Sequence, residues 1–473
     1  MARHRIPGLA LAITRGGQVL HVRGYGQAQG GVPVTGQTQF RIASLSKSFT
    51  ALAVLQLVEA GKIELDAPVA HYLPGFTLAT ASAAARISVR QLLNHTSGLA
   101  DAGFVHGLGG QQQTLADRVF SLRSARAVDG PGSAFHYFDP NYQLLARLVE
   151  VVSGQAFGAY LQQHVFAPLA MQGTVSALTS AIPEQLTPLL AQGHVMAYGM
   201  ALSLPELSGF LGGSGGVVST ASDMAHYLIA QSQHGMHAGR SVLSANGISL
   251  MQTPPLGVAS SYAMGWTTAS VHGTATVEHN GILSTFYADA VLLPVNGQPS
   301  GELSGEPSGE PSGDSSGYGF VLLYNAYGLT AATVGFSEIK NGLVMILTGR
   351  MPVGGGLSLR WLGAGLLALS ALIVTLLLWS LLRLHRWQAR IVDAPRWKLW
   401  WSVLWPVAPA LLLLGLPRLL LLQTGRYFDL GMLSRAMPEL VILLAICAAL
   451  GLLNSGIRLV MLARPLALRR TTS

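Results

Sequence analysis

Phe40-Arg-Ile-Ala-Ser-Leu-Ser-Lys-Ser-Phe-Thr50 is the stretch from which the rest of the chain is read. It leads into a helical pattern: Phe49, Leu52, Ala53, Leu55, Leu57 and Val58 recur at helical spacing and Gly61 closes the run, so residues 48–60 are expected as helix. Ser44-x-x-Lys47 lies where that helix begins. A spacing of three puts both side chains on one helix face. A serine at a helix start sits in the positive end of the macrodipole, which favours developing negative charge. An adjacent lysine lowers the serine's effective pKa or shuttles its proton. Alone, the pair reads equally as an N-cap serine beside a solvated lysine.

Outward from this stretch, residues 9–13 and 19–22 flank Arg15-Gly-Gly-Gln18 and read as a hairpin. Residues 143–152 read as a helix closed by Ser153-Gly154, and residues 222–230 as another, capped by Thr220 or Ser222. Late strands are expected at 286–293 and 320–324. Strands at both ends with helices between indicate an α+β domain whose sheet joins N- and C-terminal strands. Residues 1–350 are long enough for one large core or two subdomains. Residues 297–317, a near-repeat of Pro-Ser-Gly-Glu, read as a flexible low-complexity insertion.

Two further elements carry chemistry. Pro131-Gly-Ser-Ala-Phe-His-Tyr-Phe-Asp-Pro-Asn-Tyr142 puts Tyr137 between a Pro-Gly turn and a helix, where its hydroxyl can face a cleft. His279-Asn-Gly281 ends in a glycine that lets backbone approach a ligand. Each alone reads as packing. In the order SxxK, Tyr-x-Asp, His-x-Gly, they resemble the serine β-lactamase and penicillin-recognising superfamily, in particular its class C β-lactamase-like, esterase-like and D-alanyl peptidase-like branch. Ile6-Pro-Gly-Leu-Ala10, Gly24-Tyr-Gly26, Leu92-Leu-Asn-His-Thr-Ser-Gly-Leu99, Gly215-Gly-Val-Val-Ser-Thr-Ala-Ser-Asp-Met224 and Tyr262-Ala-Met-Gly-Trp266 extend the likeness over about residues 6–348.

The resemblance implies an antiparallel sheet flanked by helices, a helical subdomain, and a site between them. It implies Ser44 as the acylated nucleophile, with Lys47 and Tyr137 sharing a proton so that the phenolate acts as base. The N–H groups of Ser44 and Ile282 would form the oxyanion hole. His279 would support the proton network, and Asp139, Asn280 and Gly281 would line the substrate. Neither metal nor cofactor is implied. Three departures stand out. The family usually has Asn where Asp139 stands, and an ionised carboxylate cannot donate to a substrate carbonyl. That exchange would favour substrates presenting an N–H or amine, or lower activity. Penicillin-binding members usually have Lys where His279 stands, so a permanent cation for a substrate carboxylate is lost; this fits esterase-like and peptidase-like members better. The family usually begins with a helix, and the chain starts almost at a strand, so an upstream helix and export leader are expected.

Gly212-Gly-Ser-Gly-Gly216 matches G-x-S-x-G, the nucleophile elbow of another hydrolase fold, but no strand pattern precedes it. A glycine-rich loop edging the cleft is the better reading. His234-x-x-His237 has metal-like spacing without acidic or cysteine neighbours and reads as surface histidines. Cys447, the single cysteine, excludes an internal disulfide, a CxxC pair and a cysteine-rich zinc site.

Of 473 residues half are apolar and only 11% are charged, which excludes a disordered chain and points to lipid for part of it. Residues 1–350 hold 16 Lys and Arg against 18 Asp and Glu; residues 351–473 hold 13 against 3. The basicity thus belongs to the tail and argues against nucleic acid as a partner. Three apolar runs, near 361–382, 400–422 and 439–462, are each long enough to cross a bilayer, and Pro406, Pro409 and Pro417 should kink the second. Arg383, Arg386, Arg390, Arg396 and Lys398 in the first loop, and Arg464, Arg469 and Arg470 in the tail, put both in the cytoplasm. Residues 1–350 then face outward from a bacterial membrane. The sequence reads as a membrane-anchored serine hydrolase acting on an ester, amide or D-amino-acid peptide, with the cell wall as one source of such a substrate. The alternative is a catalytically weak sensor or scaffold that binds penicillin or wall peptides. With no acidic residue in mid-span, the tail reads as a tether.

Overall fold

The computed structural model describes residues 1–108, 112–294, 317–352, 356–391 and 395–470. Its largest sheet contains β1 (Gly8–Arg15), β2 (Gln18–Gln29), β3 (Val32–Pro33), β4 (Thr267–Val271), β5 (Thr274–Ile282), β6 (Tyr287–Leu293) and β7 (Tyr318–Tyr324), in the order β4-β5-β6-β7-β1-β2-β3. All its pairings are antiparallel. β1 lies beside β7 with Leu9 opposite Tyr324, so the N-terminal hairpin and the late strands share one sheet. The Pro-Ser-Gly-Glu insertion between β6 and β7 lies outside the described residues, Gly317 excepted.

The strand period of two sorts these residues onto two faces. Ala10, Ala12, Ala288, Ala290, Val321 and Leu323 enter the larger core, and Leu9, Leu11, Tyr287, Val291, Phe320 and Tyr324 a second cluster behind the sheet. Small side chains on the first face let α3 (Ala221–Ser232) lie close against β1 and β7. Thr220 caps α3 by accepting the Asp223 N–H at 3.0 Å, a cap worth about 1 kcal/mol. α4 (Ser337–Leu347) covers the other face.

α1 (Ser46–Glu59) is buried nearly all round, as befits a helix enclosed by a core. It packs on α2 (Asp139–Ser153), and short helices of the intervening chain complete a helical subdomain. α1 starts two residues earlier than its apolar pattern suggests. Ser46 Oγ donates to the Ala43 carbonyl (2.6 Å) and accepts the Val217 N–H (3.0 Å), which fixes the entry turn. α2 starts four residues before the expected 143, because Pro140 in its first turn has its φ already set for helix.

In the tail, Leu359–Leu382, Trp397–Thr424 and Pro438–Ala463 are long and apolar enough to cross a membrane. Pro406 sits in a 3-10 turn (Trp405–Val407) that interrupts the second, and Pro417 lies inside its helical continuation. The tail docks on the α+β domain. Tyr198 N–H donates to Glu439 Oε1 (2.8 Å), and Gly363 packs so close to Tyr198 that a Cβ there would lie 2.2 Å from its carbonyl.

Candidate active site

Three elements converge: the entry to α1, the entry to α2 and the end of β5. Ser44 lies in a 3-10 turn (Ala43–Leu45) and is partly exposed between buried neighbours. Ala43 holds φ at +49°, a left-handed conformation costing about 1–3 kcal/mol in a residue with a Cβ. Ile42 N–H donates to Val217 O (3.1 Å), anchoring this turn.

Lys47 is fully buried one turn on. Its Nζ donates to Ser44 Oγ (3.1 Å), Asp139 Oδ1 (2.6 Å) and Ser214 O (2.8 Å), which uses all three protons. Burial opposes the charge, but the Asp139 carboxylate and the Tyr137 phenol outweigh it and raise the pKa, so Lys47 is an ammonium at neutral pH. Nζ lies 4.8 Å from the Tyr137 ring centre. Ser214 thus supports the site through its carbonyl. Its own hydroxyl is buried and accepts from Gln143 Nε2 (3.1 Å), so the G-x-S-x-G match is a structural loop.

Behind Tyr137 stands His95, a residue to which the sequence reading assigned no role. It is fully buried, 4.4 Å centre to centre from the Tyr137 ring. Its Nδ1 accepts the Phe138 N–H (3.2 Å) and Asn141 Nδ2–H (3.1 Å), which puts the proton on Nε2. Burial and the Lys47 charge push its pKa far down, so it orients the tyrosine as a neutral ring. The signal for it was Leu92-Leu-Asn-His-Thr-Ser-Gly-Leu99 itself.

β5 outruns its neighbour: β4 pairs it only as far as Glu278, so residues 279–282 present an open edge. A Cβ on Gly281 would lie 2.1 Å from Ile42 O, so this edge runs directly against the Ser44 turn. Ile282, whose N–H is the expected second oxyanion donor, ends that edge. His279 is buried, and its Nδ1–H donates to Asn280 O (2.6 Å), leaving Nε2 as an acceptor. Burial and then the Lys47 charge lower its pKa to about 4, so the ring is neutral at pH 7. Asn280 alternates to the opposite face and interacts with Tyr287 of the second core cluster, away from His279.

Asp139, first residue of α2, is taken on both oxygens. Oδ1 accepts from Lys47, and Oδ2 accepts from Arg426 Nη2 at 2.8 Å. Burial would raise its pKa, but the two cations lower it well below the carboxylate range. Each oxygen thus bonds one cation, and the partly exposed carboxylate keeps lone pairs open to a further donor. Arg426 comes from the loop between the second and third apolar helices. It also pairs with buried Asp101 (Nε to Oδ2, 3.0 Å), so a loop of the tail reaches the site. Elsewhere, His237 stacks on His226 at 4.7 Å, and among the described residues no three metal-ligating side chains converge.

Residues 1–335 match the beta-lactamase family. The chain is 31% identical over 289 residues to penicillin-binding protein 4 of Amycolatopsis lactamdurans, covering 59% of this chain and 73% of that protein. It is 27% identical over 303 residues to protein flp of Staphylococcus aureus strain MW2, covering 62% of this chain and 58% of the relative's length. Among solved structures, the octameric penicillin-binding protein homologue from Pyrococcus abyssi superposes with a TM-score of 0.57 at 24% identity, over 74% of this chain and 76% of that one, a likeness of fold. With the fold, the ordered motifs and a family match over most of its length, the chain belongs to the beta-lactamase family.

Proposed function

We propose that this protein is a membrane-anchored serine hydrolase that cleaves an ester, amide or D-amino-acid peptide through an acyl-enzyme on Ser44. The observation that carries the reading is the Ser44–Lys47 hydrogen bond beside Tyr137, with the open end of β5 against the Ser44 turn. Ser44 Oγ adds to the substrate carbonyl carbon, and its proton passes to the Tyr137 oxygen, acting as a phenolate base beside Lys47. The oxyanion is met by the N–H groups of Ser44 and Ile282. The carbonyl–leaving-group bond then breaks, and the departing amine or alcohol takes the proton. Water repeats the sequence on the ester and restores Ser44.

The spans would cross a bacterial membrane with the hydrolase domain outside and the C-terminus in the cytoplasm; the lipid bilayer and a small-molecule or wall-derived peptide are its partners. The basic first loop supports this orientation, as does the second loop's contact with the hydrolase domain. That contact also favours a second reading, in which a long-lived acyl-enzyme signals through the spans.

Intact-protein mass spectrometry after p-nitrophenyl acetate or benzylpenicillin tests the proposal. An acyl adduct on the wild type, absent from Ser44→Ala, is expected. Decay of the adduct within seconds to minutes marks a hydrolase, and persistence marks a sensor. No adduct from either reagent on folded protein overturns both readings.

A further inference from the structure

Nothing in the chemistry above requires the tail, yet the tail reaches the site. Arg426 stands two residues beyond the helix that ends at Thr424, after Gly425 turns the chain with φ +71°. Its guanidinium bonds Asp139 Oδ2 (2.8 Å) and the Tyr137 carbonyl (3.3 Å), pairs with Asp101 Oδ2 (3.0 Å), and centres 4.7 Å from the Tyr137 ring. Tyr427 N–H donates to the same Asp101 oxygen (2.8 Å). We propose, on the reading that Ser44 is acylated, that Arg426 is a positioning residue of the acylation machinery, so that the loop between the second and third spans completes the active site.

Charge accounting carries this. The centre holds two carboxylates, Asp139 and Asp101, and two cations, Lys47 and Arg426. Facing them are His95 and His279, both neutral, and Tyr142 and Tyr262, both held protonated by burial; Arg118 acts on Asp139 from further off. Without Arg426, Lys47 becomes the sole adjacent counter-ion of Asp139, and one of the two cations against the Tyr137 ring is gone. Both changes remove positive charge from the centre, which favours protonated forms. Asp101, whose pKa burial already raises, loses its paired cation. The unusual acid at position 139 and the arginine therefore belong together: the arginine neutralises the charge that Asp139 adds in place of the family's asparagine.

The test uses the full chain in detergent micelles and follows Ser44 acylation by p-nitrophenyl acetate from pH 5 to 10, with adducts counted by mass. Arg426→Gln is expected to move the rising limb of the pH profile upward by about one to three units, losing about tenfold in rate per unit at pH 7. Arg426→Lys, which keeps the charge, should recover part of the loss. Relative to the wild type, the double variant Asp139→Asn/Arg426→Gln, in which the charge pair leaves together, should lose less rate than Arg426→Gln alone. Circular dichroism and melting curves establish that each variant is folded. An unmoved limb in Arg426→Gln, or a double variant as slow as Arg426→Gln alone, overturns the inference while leaving the hydrolase reading intact. A wild type that no reagent acylates removes the hydrolase reading, and the inference with it, before any variant is made.

Discussion

At Gly281 the proposed oxyanion geometry rests on a missing methyl group. A Cβ there would sit 2.1 Å from Ile42 O and 3.1 Å from Ala43 Cβ, so no side chain fits unless β5 and the Ser44 turn part. Gly281→Ala should therefore separate the two oxyanion donors. We expect acylation to fall roughly 10²–10³-fold, the cost of one lost donor, with a stability loss of about 1–3 kcal/mol from overpacking. Single-turnover acylation with a thermal melt measures both. A wild-type rate in a folded Ala variant would remove Ile282 from the oxyanion hole. The motif residues around this glycine were legible in the sequence because each is tied to a local pattern: Ser44 and Lys47 to a helix start, Tyr137 to a turn, Gly281 to the close backbone approach a glycine permits. Arg426 was not. It lies 287 residues from Asp139 and reads as one more loop charge. The available clue was chemical: an acid at position 139, added to a motif that supplies one lysine, calls for another cation.

Among the elements, apolar periodicity located α1, α3, β6 and β7 to within a few residues, because each buries a regular face. It missed the first turn of α2, where Asp139, Pro140 and Asn141 look like loop and are held by the site. β6 also carries a group that periodicity cannot flag. Asp289 sits fully within the sheet, bonded by Tyr287 Oη (3.2 Å), with Oδ2 unpartnered among the described residues. Burial raises its pKa from 3.8 to about 7, despite the nearby Lys340 charge. Between those values the folded state binds more protons than the unfolded state, so this group's contribution to stability falls as pH rises from about 4 to 7. His279, lowered to about 4, works in the opposite direction over pH 4 to 6.5, so the wild-type curve mixes the two. Asp289→Asn isolates one of them. The difference in melting temperature, variant minus wild type, should grow steadily from pH 4 to 7 and then level off. A difference constant with pH would mean that Asp289 does not titrate there.

Over the whole molecule, the tail's span pattern was plain from composition, while its engagement with the domain was not, since docking through Tyr198, Gly363 and Glu439 leaves no periodic trace. That engagement constrains topology. The second loop touches Asp101 and Asp139, and the first apolar helix starts against Tyr198 of the same domain. If the three helices span, the domain and the second loop share one side, and the basic first loop lies on the other. Cysteine labelling tests this in whole cells. Cys447→Ser removes the only thiol; Ser434→Cys then marks the second loop and His385→Cys the first, both at exposed positions. A membrane-impermeant maleimide should label Ser434→Cys in intact cells and His385→Cys only after permeabilisation. The reverse pattern would put the hydrolase domain in the cytoplasm and exclude wall-derived substrates. Labelling of both in intact cells would mean that the second apolar run does not span, because Trp397–Thr424 is the apolar run between the two sites.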